Sequence, residues 1–482
     1  DPLWSRGLGD VYKRQVRGRL GPDAALCGLQ AAARIAPVWA FCTNAWDGAG
    51  QDRAVPYAGD VFSPGSAAIG RRWHDASPFL FRDNCVQQLE SGRIRWLLGA
   101  CGFASMFSMR LCDAMLPQLS GDFLVGIGEV AATISGFALA YGVCQLVYGY
   151  LGDRLGKLKV MAWATMLCIV GSAAAALSPS LDMLIVSRVL NGAAAGGIIP
   201  LAMAWLGDEV GYEERQEALA RLLTATVLGM IAGQWTGGLL AAHAGWRWAF
   251  LLSSALFLVS GAFLFRAAYA ATSHGSANIQ QGTWVQGLLA IGSKAWCRTI
   301  LLTVALEGAL VFGALAFIPT LLMQRLDLSA AAAGALAAVF GLGGIAYSRN
   351  ARRLLGRFGE RGLALLGGLM LAAGYGVLAT STYTAWSAIG VFCAGLGFYA
   401  LHNTLQVNAT QMFPQRRGLA VSLFASCLFL GQSIGIYAVS HLIATVSIPA
   451  VLIAFGLLLA VLGLSFARLV QRRIAGEVGS PR

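Results

Sequence analysis

Charge is what this sequence has least of. Only 12% of its 482 residues are Asp, Glu, Lys or Arg, against about 25% in an ordinary soluble domain. Metal and phosphate motifs are missing as well. The ten cysteines are scattered without a CxxC pair, and the five histidines form no cluster at ligand spacing. Neither a metal site nor a disulfide framework is expected. Cys101, Cys112, Cys144, Cys168, Cys393 and Cys427 sit inside apolar runs, where a thiol behaves as a small hydrophobe. No GxxxxGK loop occurs, so ATP hydrolysis within this chain is excluded and no cofactor is expected. No short apolar core with a cleavage site is seen, so no secretory signal is expected. No nucleophile, histidine and acid gather at one depth, which argues against an enzyme.

What is present is apolar sequence: 57% hydrophobic residues and a mean hydropathy of +0.64. The net charge of +12 could suit a nucleic acid, but its positive charges fall in short loops between apolar runs, and no nucleic-acid partner is expected. From residue 94 onward hydropathy predicts twelve spans: 95–119, 131–151, 160–177, 181–206, 222–242, 247–267, 299–322, 329–347, 362–380, 385–409, 418–442 and 446–469. Each is long enough, or nearly so, to cross a bilayer as a helix. The expected fold is an all-α membrane protein with twelve transmembrane helices in two pseudo-symmetric six-helix bundles. The bundles would occupy 91–267 and 299–470, joined by a central cytoplasmic loop at 268–298 and followed by a tail at 471–482.

Basic residues orient this arrangement. Of 25 Lys and Arg beyond residue 90, Arg110 and Arg188 lie within spans. With the loop GYLGDRLGKLK (149–159) placed inside, Arg247 and Arg325 fall outside and the other 21 fall on cytoplasmic segments. The positive-inside tendency therefore puts both ends of the membrane domain in the cytoplasm, as in a multi-pass protein of a bacterial inner membrane. Residues 1–90 read differently, being mixed in polarity and without a sustained period. SRGLGDVYKRQ resembles translated adaptor read-through, so 1–90 is expected to be a non-native or disordered extension, with a native start between about 85 and 96.

The halves repeat. AGQWTGG in the fifth span gives Gly233, Gln234 and Gly237, and LGQSIGI in the eleventh gives Gly431, Gln432 and Gly435, at an offset of 198. Pro117 and Pro319, near the ends of the first and seventh spans, match at an offset of 202. RNARRLLGRFGERG is a looser counterpart of the 149–159 loop. Parallel six-helix repeats fit halves that rock about a central site. The glycines Gly229, Gly233 and Gly237, with Gly238 beside them, form a small-residue face suited to close helix packing.

These features together resemble the major facilitator superfamily, over residues 91 to 470. GYLGDRLGK resembles its loop G-x-x-x-D-R-x-G-R/K after the second helix. The resemblance makes Gly149, Gly152, Asp153, Arg154, Gly156 and Lys157 a conformational latch, with Asp153 facing a helix N-terminus of the opposite half. LIVSRVLNGAAAGG resembles the fourth-helix pattern with its buried Arg188. GMIAGQWTGGLL resembles the exporter pattern G-x-x-x-G-P-x-x-G-G, with Gln234 where that pattern has proline.

Ionisable groups inside spans are costly and usually face a cavity or a partner. Met106, Arg110, Asp113 and Pro117 share one face of the first span. Asp113 and Arg188 lie at matched depth, about 9–10 Å from the outer end at 1.5 Å per residue, so an Asp113–Arg188 pair is expected, with a permanent structural pair as the bland reading. In the resembled family such residues couple proton and substrate binding. Glu307 in the seventh span is the other buried acid, with Arg110 as its expected neighbour. Tyr141 and Gln145 on the second span, Asn191, Gln234, and Tyr399, His402, Asn403 and Gln406 on or beside one face of the tenth are the candidate substrate-cavity residues. The resemblance implies a secondary transporter, monomeric in the lipid bilayer, exporting small organic molecules in exchange for protons. A proton-coupled importer of a sugar or organic acid and a membrane sensor on the same scaffold remain open.

Overall fold

The structure is a computed structural model that describes residues 78–270 and 284–478; most of the N-terminal extension predicted above and the middle of the predicted central loop lie outside them. Residues Phe81–Arg482 belong to one compact unit. Its described residues form helices α1 (Pro78–Arg110), α2 (Leu116–Phe123), α3 (Ile127–Val130), α4 (Ala132–Leu155), α5 (Lys157–Ala176), α6 (Leu181–Ala195), α7 (Ile198–Glu209), α8 (Tyr212–His243) and α9 (Trp246–Ala270). They continue with α10 (Trp284–Ser293), α11 (Ala295–Leu315), α12 (Ile318–Leu326), α13 (Ala330–Thr380), α14 (Thr384–Gln411), α15 (Arg417–Leu442) and α16 (Ile448–Val478). No strand occurs among the described residues.

Local sequence explains where these helices stop. Ser180 and Ser329 accept the backbone N–H of Met183 and Ala332, satisfying donors that a helix start leaves open. Gly156, at φ +90°, makes the tight junction between α4 and α5, a conformation that an L side chain rarely adopts. Pro117 and Pro319 sit in the first turns of α2 and α12. Proline brings no N–H for the carbonyl four residues earlier, so the helical ladder is interrupted just before each, at 111–115 and at 316–317.

Ten segments among the described residues are long and apolar enough to cross a membrane. They differ from the twelve predicted spans in two places. The first predicted span, 95–119, is divided between α1 and α2 and is cut by Arg95, Arg110 and Asp113, so it is not among the ten. The eighth and ninth predicted spans both lie in the 51-residue α13, where Gly359 (φ +62°, ψ 177°) breaks the helical geometry.

Three large cores hold the helices together, with a small fourth around Tyr347, Leu363 and Ala400. One draws its buried residues from 94–268, including Leu98, Phe137, Met161 and Phe257. A second draws only on 291–470, including Phe340, Tyr375, Phe398 and Phe424. The third joins the halves, placing Phe107, Leu116, Ile134 and Phe250 with Phe317, Ile436, Val439 and Val451. Backbone contact reinforces this join: a Cβ on Gly128 would collide with the Ser440 carbonyl, and one on Gly334 with that of Gln234. The halves therefore meet tightly beyond the α1–α2 break.

Candidate functional site

On the other side of that break the halves separate around a cavity of about 3680 Å³. Its deep end is bounded by Met106, Arg110 and Tyr141 from the first half and Phe312, His402 and Gln432 from the second. It widens past the 149–159 loop and past Arg416 and Arg417, so it opens toward the side carrying that loop.

Asp113 stands in the interruption between α1 and α2 and is fully buried. Arg110 Nη1 donates to its Oδ2 at 3.2 Å, and Gln234 Nε2 donates to the same oxygen at 3.2 Å. Oδ1 has no hydrogen-bond partner among the described residues. The expected Asp113–Arg188 ion pair is not formed. Arg188 donates to Ser108 Oγ (3.2 Å) and to the Thr133 carbonyl (3.3 Å), and its guanidinium lies 4.2 Å over the Phe137 ring. Matched depth fixed the level of the two residues but not their azimuth, and Arg110, one turn before Asp113, takes the carboxylate instead.

Glu307 is likewise fully buried, in α11, but its partner is His402, with Nδ1 at 2.9 Å from Oε2. Its Oε1 has no partner among the described residues. Arg110, the neighbour expected for Glu307, lies instead with its guanidinium 4.5 Å over the Phe312 ring. Phe312 meets Phe398 edge-on at 5.1 Å, and Phe398 stacks on His402 at 4.9 Å. A continuous wall thus runs from Asp113 through Arg110, Phe312, Phe398 and His402 to Glu307. His402 is 14% exposed while Glu307 is sealed, so the imidazole is the face that Glu307 shows to the cavity.

Tyr141, Gln145, Tyr399, His402, Asn403 and Gln406 line the cavity. Asn191 and Gln234, predicted beside them, do not. Asn191 donates to Ser172 Oγ at 2.7 Å between packed helices, because a side chain on a small-residue face is drawn into the closest helix contact. Gln234 is spent on Asp113. The loop residues Gly149, Gly152, Asp153, Arg154, Gly156 and Lys157 border the wide end. There Lys157 pairs with Asp208 of the same half and lies 3.8 Å from Asp153, while Arg154 stacks 4.5 Å over Tyr150. A Cβ on Gly229, Gly233 or Gly237 would collide with the carbonyl of Phe103, Phe107 or Leu111, and one on Gly238 with that of Ala330. In the second half Gly431 and Gly435 face the Ala305 and Ala309 carbonyls in the same way.

Phe312, Phe398 and Gln432 also belong to the cavity wall and were missed as site residues. Phenylalanine reads alike whether it faces lipid, core or cavity. Gln432 did carry a signal, its 198-residue offset from Gln234.

The sequence profile of the Major Facilitator Superfamily matches residues 98–435 and 351–481. The chain belongs to that superfamily. Among its relatives in the superfamily, the multidrug export protein EmrB of Escherichia coli (strain K12) is 27% identical over 156 residues, 32% of this chain. That match spans only 30% of EmrB. The multidrug resistance protein B homolog of Mycobacterium tuberculosis (strain CDC 1551 / Oshkosh) is 25% identical over 411 residues, covering 72% of this chain and 76% of that protein. Among solved superfamily-like folds, a bacterial homolog of the human lysosomal transporter Spinster, inward-facing and unoccupied, aligns with a TM-score of 0.64 at 15% identity. It covers 82% of this chain and 99% of its own. The nucleoside transporter NupG aligns with a TM-score of 0.64 at 13% identity, over 78% and 99%. At such identities these likenesses show the fold. A superfamily member with this many apolar helices is a multi-pass membrane protein.

Proposed function

We propose that this chain is a secondary transporter that exports small organic molecules, of the drug or metabolite kind, in exchange for protons. The observation that carries the reading is the cavity: open at one end, closed by packed helices at the other, with two buried carboxylates, Asp113 and Glu307, behind its wall and bonded to Arg110 and His402, which line it. Drug export by EmrB, as its name states, supports the direction, and the Mycobacterium protein is named for multidrug resistance. The ten apolar segments, the interrupted α1–α2 and the second crossing within α13 together make twelve crossings, arranged as two six-helix bundles with both ends in the cytoplasm. The cavity then opens inward.

In this reading Asp113 binds a proton and substrate in competition, Arg110 holds its carboxylate in the empty state, and Arg188 braces the neighbouring helices. Glu307, reached through His402, is the second acid. The 149–159 loop latches the alternate state, since Asp153, now 72% exposed at the cavity mouth, is free to meet the opposite half when the mouth closes. Inverted vesicles test the reading. Acidifying their lumen should drive ethidium accumulation by the unaltered chain, and Asp113→Asn should abolish the proton-driven part. Accumulation by Asp113→Asn at the unaltered rate would overturn the coupling assignment, and a substrate-induced pH change of the opposite sign would indicate an importer.

A further inference from the structure

Gln432 is buried, 1% exposed, and borders the cavity, yet neither Oε1 nor Nε2 has a hydrogen-bond partner among the described residues. An unsatisfied buried amide is costly and uncommon in a folded chain. Packing alone does not account for it, because the repeat provides an internal control. Gln234 occupies the matching place in the first half, between Gly233 and Gly237, which press α8 onto the backbone of α1. Its Nε2 donates to Asp113. Gln432 lies between Gly431 and Gly435, which press α15 onto the backbone of α11 in the same way. Asp113 corresponds to Val311 at the 198-residue offset of the clamp contacts and to Leu315 at the 202-residue offset of the prolines, and neither side chain offers an acceptor. The second half therefore keeps the amide and lacks its partner.

The surroundings restrict what could complete it. A Cβ on Gly308 would lie 3.2 Å from the Gln432 backbone nitrogen, so Gln432 leaves α15 beside Gly308, one helical turn from Phe312. Phe312, Phe398, Phe424, Phe429 and Tyr141 line the same cavity, an aromatic enclosure suited to a flat apolar body. A carboxamide presents one donor edge and one acceptor edge side by side.

We propose that Gln432 is the specificity-determining residue of the cavity, and that it reads an adjacent N–H and C=O on a planar aromatic amide or lactam. This deepens the transport reading above, but its test needs no proton gradient and no transport, so the two can fail separately. The probes are 2-quinolinone, which carries that donor–acceptor edge, and 1-methyl-2-quinolinone, which has the same ring and carbonyl but no N–H. Binding to the purified full chain in detergent is followed by the probes' own fluorescence. The unaltered chain should bind 2-quinolinone about tenfold tighter than the methylated compound, the equivalent of about 1.4 kcal/mol. Gln432→Leu and the similarly shaped Gln432→Met should bind the two within about twofold of each other, with melting temperatures showing that both variants are folded. Equal affinities in the unaltered chain, or binding of neither compound, would overturn the proposal, and that comparison needs no variant to fold. Persistence of the tenfold preference in Gln432→Leu would overturn it as well.

Discussion

The two halves of this chain use one scaffold for opposite purposes at the cavity's closed end. Proline interrupts the first helix of each half at corresponding places, and a Gly-Gln-x-x-Gly segment clamps a later helix onto it. In the first half the interruption holds a charged cluster, Arg110, Asp113 and Gln234, bonded among themselves. At the 202-residue offset the second half has Phe312 and Leu315 instead. Arg110 and its counterpart Phe312 touch each other across the cavity floor. The second half's own acid, Glu307, is placed just over two turns before Leu315 in its helix and is paired with a histidine. Duplication supplied the geometry, and divergence made one half ionic and the other aromatic.

The largest expected effect comes from breaking that contrast on one side only. Asp113→Leu copies Leu315 but leaves Arg110 buried without its counter-ion, a change that costs about 3–5 kcal/mol. It should appear as a large fall in melting temperature of the purified protein. Arg110→Phe combined with Asp113→Leu gives the first half the residues of the second. It should recover most of that stability while losing proton-driven transport. If the double variant is no more stable than the single one, the ion pair is not what holds the interruption together.

Next in size is a bulky residue in either clamp. Gly233→Val and Gly431→Val each force a branched side chain against a facing carbonyl, of Phe107 or Ala305, and overpacking of this kind costs about 1–3 kcal/mol. Similar losses in thermal denaturation are expected for the two. A clear inequality would show that the clamps are alike in sequence only. His402→Ala should cost a similar amount, about 1.5–3 kcal/mol for a hydrogen bond to a charged group. The melting temperature of the purified variant reads this loss. The smallest effect is expected from Lys157→Ala. Its pairing with Asp208 is exposed and worth below about 1 kcal/mol, so melting should barely move and any change should weaken further in high salt.

Much of this was readable beforehand, for identifiable reasons. Helices and their approximate ends follow from apolar runs, whereas the interruptions before Pro117 and Pro319 were not read, the two prolines having served only as markers of the repeat. The glycine face at Gly229, Gly233 and Gly237 was readable because its spacing can serve little besides contact. Pairings between distant segments were not. Depth along two helices sets the level of Asp113 and Arg188, but the backbone carbonyl of Thr133 and the hydroxyl of Ser108 decided where the guanidinium went. The aromatic wall was hidden for a related reason, since Phe312 and Phe398 differ from lipid-facing phenylalanines only in what lies opposite them. The junction between the eighth and ninth spans was readable too, since the charged stretch RNARRLLGRFGERG ends one apolar run before the next begins, and Gly359 breaks the helix within it.

The seam between α4 and α15 has a mechanical meaning. It is crossed by Ser426 Oγ donating to the Gly142 carbonyl at 2.5 Å and Ser433 Oγ donating to that of Ser135 at 2.9 Å, while the ion pairs described above each close within one half. Hydroxyls swivel and glycine leaves room, so this line of contact behaves as a bearing and not as a weld. Rotation there would exchange one modest bond for another and leave every buried charge with the partner it already has.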